Sequence, residues 1–252
     1  MRRDNGSVRR KPEKTSPSAF WPVAGIVVPI LRLATRITVV DAEKVPAAGP
    51  FILAPNLYCE IDPVVLGYAV WMVGRAPRFL TKASLFKVPV VGLALRSTGQ
   101  IPVERGGRAS GTLGAAEQLV GGGRPVIVYP EGSLTRDPAM WPMRGKTGAV
   151  RLALEHGIPL IPAAHWGTQD LMARYGKKVS LFPPAKITVK FGDPVDLSRF
   201  AGRPLDAAVL MEATELVMAA ITRLLEDLRG ETAPAERWDP KKQGQTETGR
   251  FD

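Results

Sequence analysis

With 252 residues, 45% of them hydrophobic and 23% charged, the chain has apolar material for a sizeable core, which excludes global disorder and makes one α/β domain the expectation. Its single cysteine, Cys59, excludes an intramolecular disulfide and any cysteine-based metal site, and it points to a reducing, cytosolic side. The 34 Lys and Arg against 24 Asp and Glu give a net charge of +10, which attracts polyanions, but no RNA-binding aromatic motif, zinc-finger spacing or heptad basic region accompanies it, so nucleic acid is set aside.

Residues 1–18 hold Arg2, Arg3, Arg9, Arg10, Lys11 and Lys14 among Ser, Pro and Asn, and they read as a disordered basic arm. An apolar run from Phe20 to Leu31 follows, ended by Arg32. Spanning a bilayer takes about 18 or more such residues, so the segment 19–36 is expected to lie as a helix in a membrane interface, where Trp21 and the cationic flanks suit anionic lipid. A buried N-terminal helix is the alternative. No convincing cleavage site follows the run, which argues against a signal peptide.

From Ile37 short apolar runs alternate with helical patterns, predicting a central mixed sheet flanked by helices over 37–230. The expected strands are 37–40, 51–54, 78–81, 100–103, 126–129, 158–164 and 186–191. Helices are expected over 63–73, with Asp62 as N-cap and Pro63 in the first turn, and over 110–120, 147–156 and 204–228. The last carries Leu210, Thr214, Val217, Ile221 and Leu224 at helical spacing, a face suited to packing on the sheet. Residues 231–252 are polar and aperiodic and read as a loose tail.

Gly145-Lys146-Thr147 has the ending of a phosphate-binding P-loop, but Met140 stands where that motif needs glycine. Gly121-Gly122-Gly123 is explained by a turn. His156 and His165 have no metal-ligand partner at helical spacing and read as structural, and no metal site is expected.

Four segments in fixed order carry more. They are Asn56-Leu57-Tyr58-Cys59-Glu60-Ile61-Asp62-Pro63, Gly99 to Arg105, Tyr129-Pro130-Glu131-Gly132-Ser133-Leu134-Thr135-Arg136, and Ile158 to Ala163. With the phrase Leu80 to Pro89, their order and spacing resemble the glycerol-phosphate acyltransferase family, in particular the bacterial 1-acylglycerol-3-phosphate acyltransferases. The resemblance runs from about Val39 to Phe191. It implies transfer of a fatty acyl group from acyl-CoA or acyl carrier protein to 1-acylglycerol 3-phosphate, giving phosphatidate, with no bound cofactor. It also implies an anionic membrane surface as partner and a peripheral or monotopic place on the cytoplasmic face of the cell membrane.

In that family the first segment holds a His separated by four residues from an Asp. The His takes the proton of the acceptor hydroxyl and the Asp supports the imidazolium. Asp62 matches the Asp, and Leu57 occupies the His position. The resemblance further implies that Arg105, Glu131, Gly132 and Ser133 hold the glycerol-phosphate head, with Arg144, Lys146 and Lys82 adding charge. Leu134 stands where the family commonly has Arg, and Arg136, two residues on, would share its face in an extended segment.

Three readings of Leu57 stay open. The chain is an inactive variant of a competent enzyme, or a paralogue that keeps the lipid-binding shape without catalysis, or an enzyme that recruits Cys59, Glu60 or His165 instead.

Overall fold

The computed structural model describes residues 18–103, 114, 116–118, 120–176 and 178–246. Its helices are α1 (Phe20–Ala34), α2 (Asp62–Met72), α3 (Pro89–Ser97), α4 (Gly148–His156), α5 (Thr168–Leu171) and α6 (Ala207–Arg229). Its strands are β1 (Thr35–Val40), β2 (Ile52–Pro55), β3 (Leu80–Lys82), β4 (Ile101–Val103), β5 (Val126–Ile127), β6 (Leu160–Trp166) and β7 (Ala185–Phe191).

Successive strand side chains point to opposite faces, and here both faces are apolar, so the sheet is buried between two helical layers. Ile52, Ala54, Val126 and Leu160 face α4 and α6, whereas Phe51, Leu53, Ile127 and Ile161 face α2. The five strands run in the order β1-β7-β6-β2-β5. Only β6 and β7 pair antiparallel, so the sheet is mixed, as expected.

Pro162 lies inside the central strand β6, where a proline lacks the N–H that a ladder needs. The pairing with β7 begins one residue later, at Ala163 opposite Phe191, and Pro162 contributes only its carbonyl, which accepts from Gly192 N–H at 2.8 Å. No donor is lost.

Three features depart from the sequence reading. Strands β3 and β4 form their own parallel pair, tied to the main sheet by a bridge between Phe79 and Ile127. Helix α3 occupies part of a stretch that carried no helical expectation. Residues 231–246, read as a loose tail, fold back on the domain: Ala233 N–H donates to Glu226 at 2.8 Å, the Trp238 carbonyl accepts from Arg144 N–H at 3.0 Å, and Pro240 is buried. The basic arm, apart from Ser18, lies outside the described residues.

Helix α6 starts on a side-chain cap, Asp206 accepting from Val209 N–H at 2.8 Å. Leu210, Thr214, Val217 and Ile221 are buried as expected, but the helix turns Leu225 rather than Leu224 fully inward. Helix α1 packs one edge on α2, with the Phe20 ring 6.0 Å from that of Trp71, and leaves Trp21, Ile26, Ile30 and Leu33 exposed.

The corner between β6 and α5 depends on Gly167, whose φ of 108° suits glycine alone and whose added Cβ would lie 2.1 Å from the Lys186 carbonyl oxygen. Gly167→Ala is expected to cost about 1–3 kcal/mol or more in urea denaturation, because both strain and collision oppose it.

Candidate active site

The turn from Asn56 to Asp62 leaves the C-terminal end of β2 and enters α2. Asn56 exchanges two hydrogen bonds with the backbone of His165, donating to its carbonyl at 3.1 Å and accepting from its N–H at 3.0 Å. The first motif is thereby fastened to the end of β6, where the β2–β6 ladder stops.

Asp62 is fully buried and is the first residue of α2 rather than its N-cap, which is Ile61. Its carboxylate reaches back into its own turn. Oδ2 accepts from the N–H groups of Tyr58 and Cys59, each at 2.8 Å, and Oδ1 accepts from the Thr168 hydroxyl at 2.6 Å. His165 Nε2 stands 3.1 Å from Oδ2, at ion-pair distance but off the line of a hydrogen bond. The imidazole is fully buried and stacks on Tyr58, with centroids 5.2 Å apart, while the Tyr58 hydroxyl accepts from Thr168 N–H at 3.1 Å. A buried carboxylate needs such donors in place of water, and here two come from its own turn and the third from the β6–α5 corner.

Leu57 lies at the junction of the first and third motifs. Its N–H donates to Glu131 Oε1 at 3.0 Å and its carbonyl accepts from Thr135 N–H at 2.7 Å. The other oxygen of Glu131 accepts from Met143 N–H at 2.9 Å. Burial pushes the Glu131 carboxyl up to about 8, against the pull of the Met143 and Leu57 amides and the Thr135 hydroxyl.

Lys146 bonds Pro130 through its backbone N–H at 2.7 Å and lays its side chain over Gly132, where an added Cβ would come within 3.0 Å of it. Gly132, at φ 70°, is what allows that approach. A cavity of about 340 Å³ opens beside Glu131, walled by Met143, Met211 and Pro240 and bordered by Arg144, Lys146 and Thr147. Arg144 is 4.0 Å from Asp239, and Ser133 is buried. Arg136 is buried, only 1% exposed. Lys82 ends β3 opposite Val103. Arg105 lies outside the described residues.

The candidates for a substitute base separate clearly. Burial pushes the Cys59 thiol up to about 12, with the Asp62 charge adding to it, and Sγ donates to the Met172 carbonyl at 2.8 Å. Such a thiol is a weak nucleophile. Glu60 is exposed and accepts from Tyr175 N–H at 3.0 Å. His165 is near Asp62, yet it is sealed behind Tyr58. Thr168, which completes the Asp62 shell from 106 residues away, carries no signal in the sequence.

The raised Glu131 carboxyl has a signed consequence. Its folded pKa exceeds the unfolded value, so the folded protein binds more protons than the unfolded one between about pH 4.5 and pH 8. Its contribution to stability therefore falls as pH rises through that window. In urea denaturation at several pH values, the unfolding free energy of the parent relative to Glu131→Gln is expected to decline from pH 5 to pH 8; a flat difference removes the shift.

Comparisons with known proteins bear on this geometry. Residues 36–166, just over half the chain, match the Acyltransferase family model. The chain is 29% identical over 178 residues to a 1-acyl-sn-glycerol-3-phosphate acyltransferase of Bacillus subtilis (strain 168), covering 69% of this chain and 81% of that protein. It is 27% identical over 184 residues to one from Chlamydomonas reinhardtii, covering 72% of this chain and 53% of the relative, so the chain spans about half the length of the algal protein. The crystal structure of the 1-acyl-sn-glycerophosphate (LPA) acyltransferase PlsC from Thermotoga maritima superposes with a TM-score of 0.60 at 23% identity, over 83% of this chain and 82% of that one, and so shares the fold. With more than half its length matched by the family model, this chain belongs to the Acyltransferase family.

Proposed function

We propose that this chain carries the acyl-transfer site of a 1-acylglycerol-3-phosphate acyltransferase, with turnover limited by Leu57. The hydroxyl of 1-acylglycerol 3-phosphate attacks the carbonyl carbon of a fatty-acyl thioester on coenzyme A or acyl carrier protein. A C–O bond forms, the C–S bond breaks, and the hydroxyl proton ends on the departing thiolate. A base at the hydroxyl carries that proton in the transition state, which typically contributes about 100- to 10,000-fold. Leucine has no such chemistry.

One observation carries the reading. The backbone of Leu57 is clamped between the turn that buries Asp62 and the loop that buries Glu131, so residue 57 is placed at the meeting point of the two motifs. Lys146 over Gly132, with Arg144 beside the adjoining cavity, supports a phosphate site there, since both are cations bordering one opening. In this reading Glu131 positions the loop, Gly132 and Ser133 shape it, and Arg105 and Lys82 supply further charge to the head group.

A second reading is a non-catalytic lipid-binding homologue on the same fold. It is favoured by the absence of a working substitute base among Cys59, Glu60 and His165, described above. In both readings the exposed face of α1 meets an anionic membrane on its cytoplasmic side. No helix among the described residues is long and apolar enough to cross a membrane.

Leu57→His is expected to raise lysophosphatidate-dependent thioester consumption by about 100- to 10,000-fold. No gain in a well-folded Leu57→His protein sinks the enzyme reading and leaves the binder. In the Leu57→His background, Lys146→Ala is expected to raise the KM for lysophosphatidate about tenfold or more, as loss of a charge-assisted phosphate contact would. An unchanged KM excludes Lys146 from the head-group site.

A further inference from the structure

Helix α3 is apolar without being covered. Gly92 alone among its residues is buried; its N–H donates to the Val88 carbonyl at 2.6 Å, and a Cβ added there would lie 2.2 Å from the Phe86 carbonyl oxygen. Val90 is 81% exposed and Leu93 66%, and Val88, Val91 and Leu85 are open as well. Helices in water are normally held by burying one apolar face, and among the described residues α3 buries only Gly92 fully and Ala94 and Leu95 in part.

Charge indicates what covers it. From Pro63 to Val103 the chain has no Asp or Glu, and of its five cations Arg75 and Arg78 are buried while Lys87 and Arg96 are exposed at either end of α3. From Lys14 to Val40 there is again no carboxylate, and Arg32 stands in the last turn of α1 with Arg36 just beyond it. Among the described residues, eleven of the fourteen large exposed hydrophobic side chains fall in these two stretches. Apolar side chains among cations with no carboxylate complement an anionic lipid surface. A second copy would instead bring like charges face to face.

The two stretches also meet in space. The Arg78 guanidinium stands 5.5 Å over the Phe20 ring at the start of α1, and its Nε lies 3.9 Å from where a Cβ on Gly99 would sit, just past the end of α3. We infer that α3, with the turn Ala83–Lys87 before it, is a second membrane-inserting element that enters the same anionic leaflet as α1. This rests on the membrane docking proposed for α1, and the test separates the two.

The full chain carrying Leu93→Cys or Ile26→Cys is labelled with an environment-sensitive fluorophore, buried Cys59 remaining unlabelled, and mixed with phosphatidylglycerol-containing or pure phosphatidylcholine vesicles. Both labels are expected to shift to the blue on the anionic vesicles and to be quenched by nitroxide-bearing lipid. Val90→Glu/Leu93→Glu is expected to lower the vesicle-bound fraction at least tenfold with the melting transition retained, since both side chains face outward. A label at position 93 that stays in water while the one at 26 inserts overturns the inference and leaves α1 as the anchor. If neither inserts, both readings fall. A shift at 93 that follows protein concentration without lipid assigns the face to a second copy and overturns the inference too.

Discussion

An ionised carboxylate tolerates burial only where donors replace the water it has lost, and the Asp62 side chain meets that condition with groups from two distant parts of the chain. Tyr58 and Cys59 supply N–H groups from its own turn, and Thr168 supplies a hydroxyl from the corner after β6. His165 adds a ring nitrogen 3.1 Å away. Satisfying this one group therefore fixes the curl of the motif turn and its attachment to the centre of the sheet. On the far side of the same turn, Glu131 does the corresponding work by holding Leu57 N–H and Met143 N–H together. Residue 57 hangs between two buried carboxylates, each occupied with backbone amides.

That arrangement explains how the scaffold accommodates an aliphatic residue at position 57. The contacts that place the residue are made by its own N–H and C=O, and neither depends on the side chain. An aliphatic side chain can thus stand at position 57 while the surrounding turn, the Asp62 shell and the loop of Glu131 keep their connections. The same separation of frame from chemistry makes Leu57 a clean point at which to distinguish an enzyme from a binder built on one fold.

The surface carries a parallel division of labour. Carboxylates are absent from both stretches that expose most of the large apolar side chains, and cations flank them. The loop around Lys146 differs in kind, since its cations stand beside Asp239 and the buried Glu131, and the folded-back segment 231–246 braces it through Trp238 and Pro240. One set of charges is arranged for an extended surface and the other for a small, shaped opening.

Strand and helix positions were legible because short continuous apolar runs mark strands buried on both faces and 3.6-residue spacing marks the buried face of a helix. Leu210, Val217 and Ile221 show it in α6, and Phe51 to Ala54 show it in β2. The order of the four motifs, and the leucine at the head of the first, were likewise readable from the residues themselves. Periodicity says which side of an element is covered, not what covers it, so the sequence could neither leave α3 bare nor fold residues 231–246 onto the Arg144 loop. Nor could it seal Arg136 at 1% exposure, since an extended segment predicts only which side chains share a face. Tertiary structure alone decided that Thr168, more than a hundred residues downstream, would complete the shell of Asp62, because a buried charge takes its donors from whatever the fold brings near and no local pattern encodes that choice.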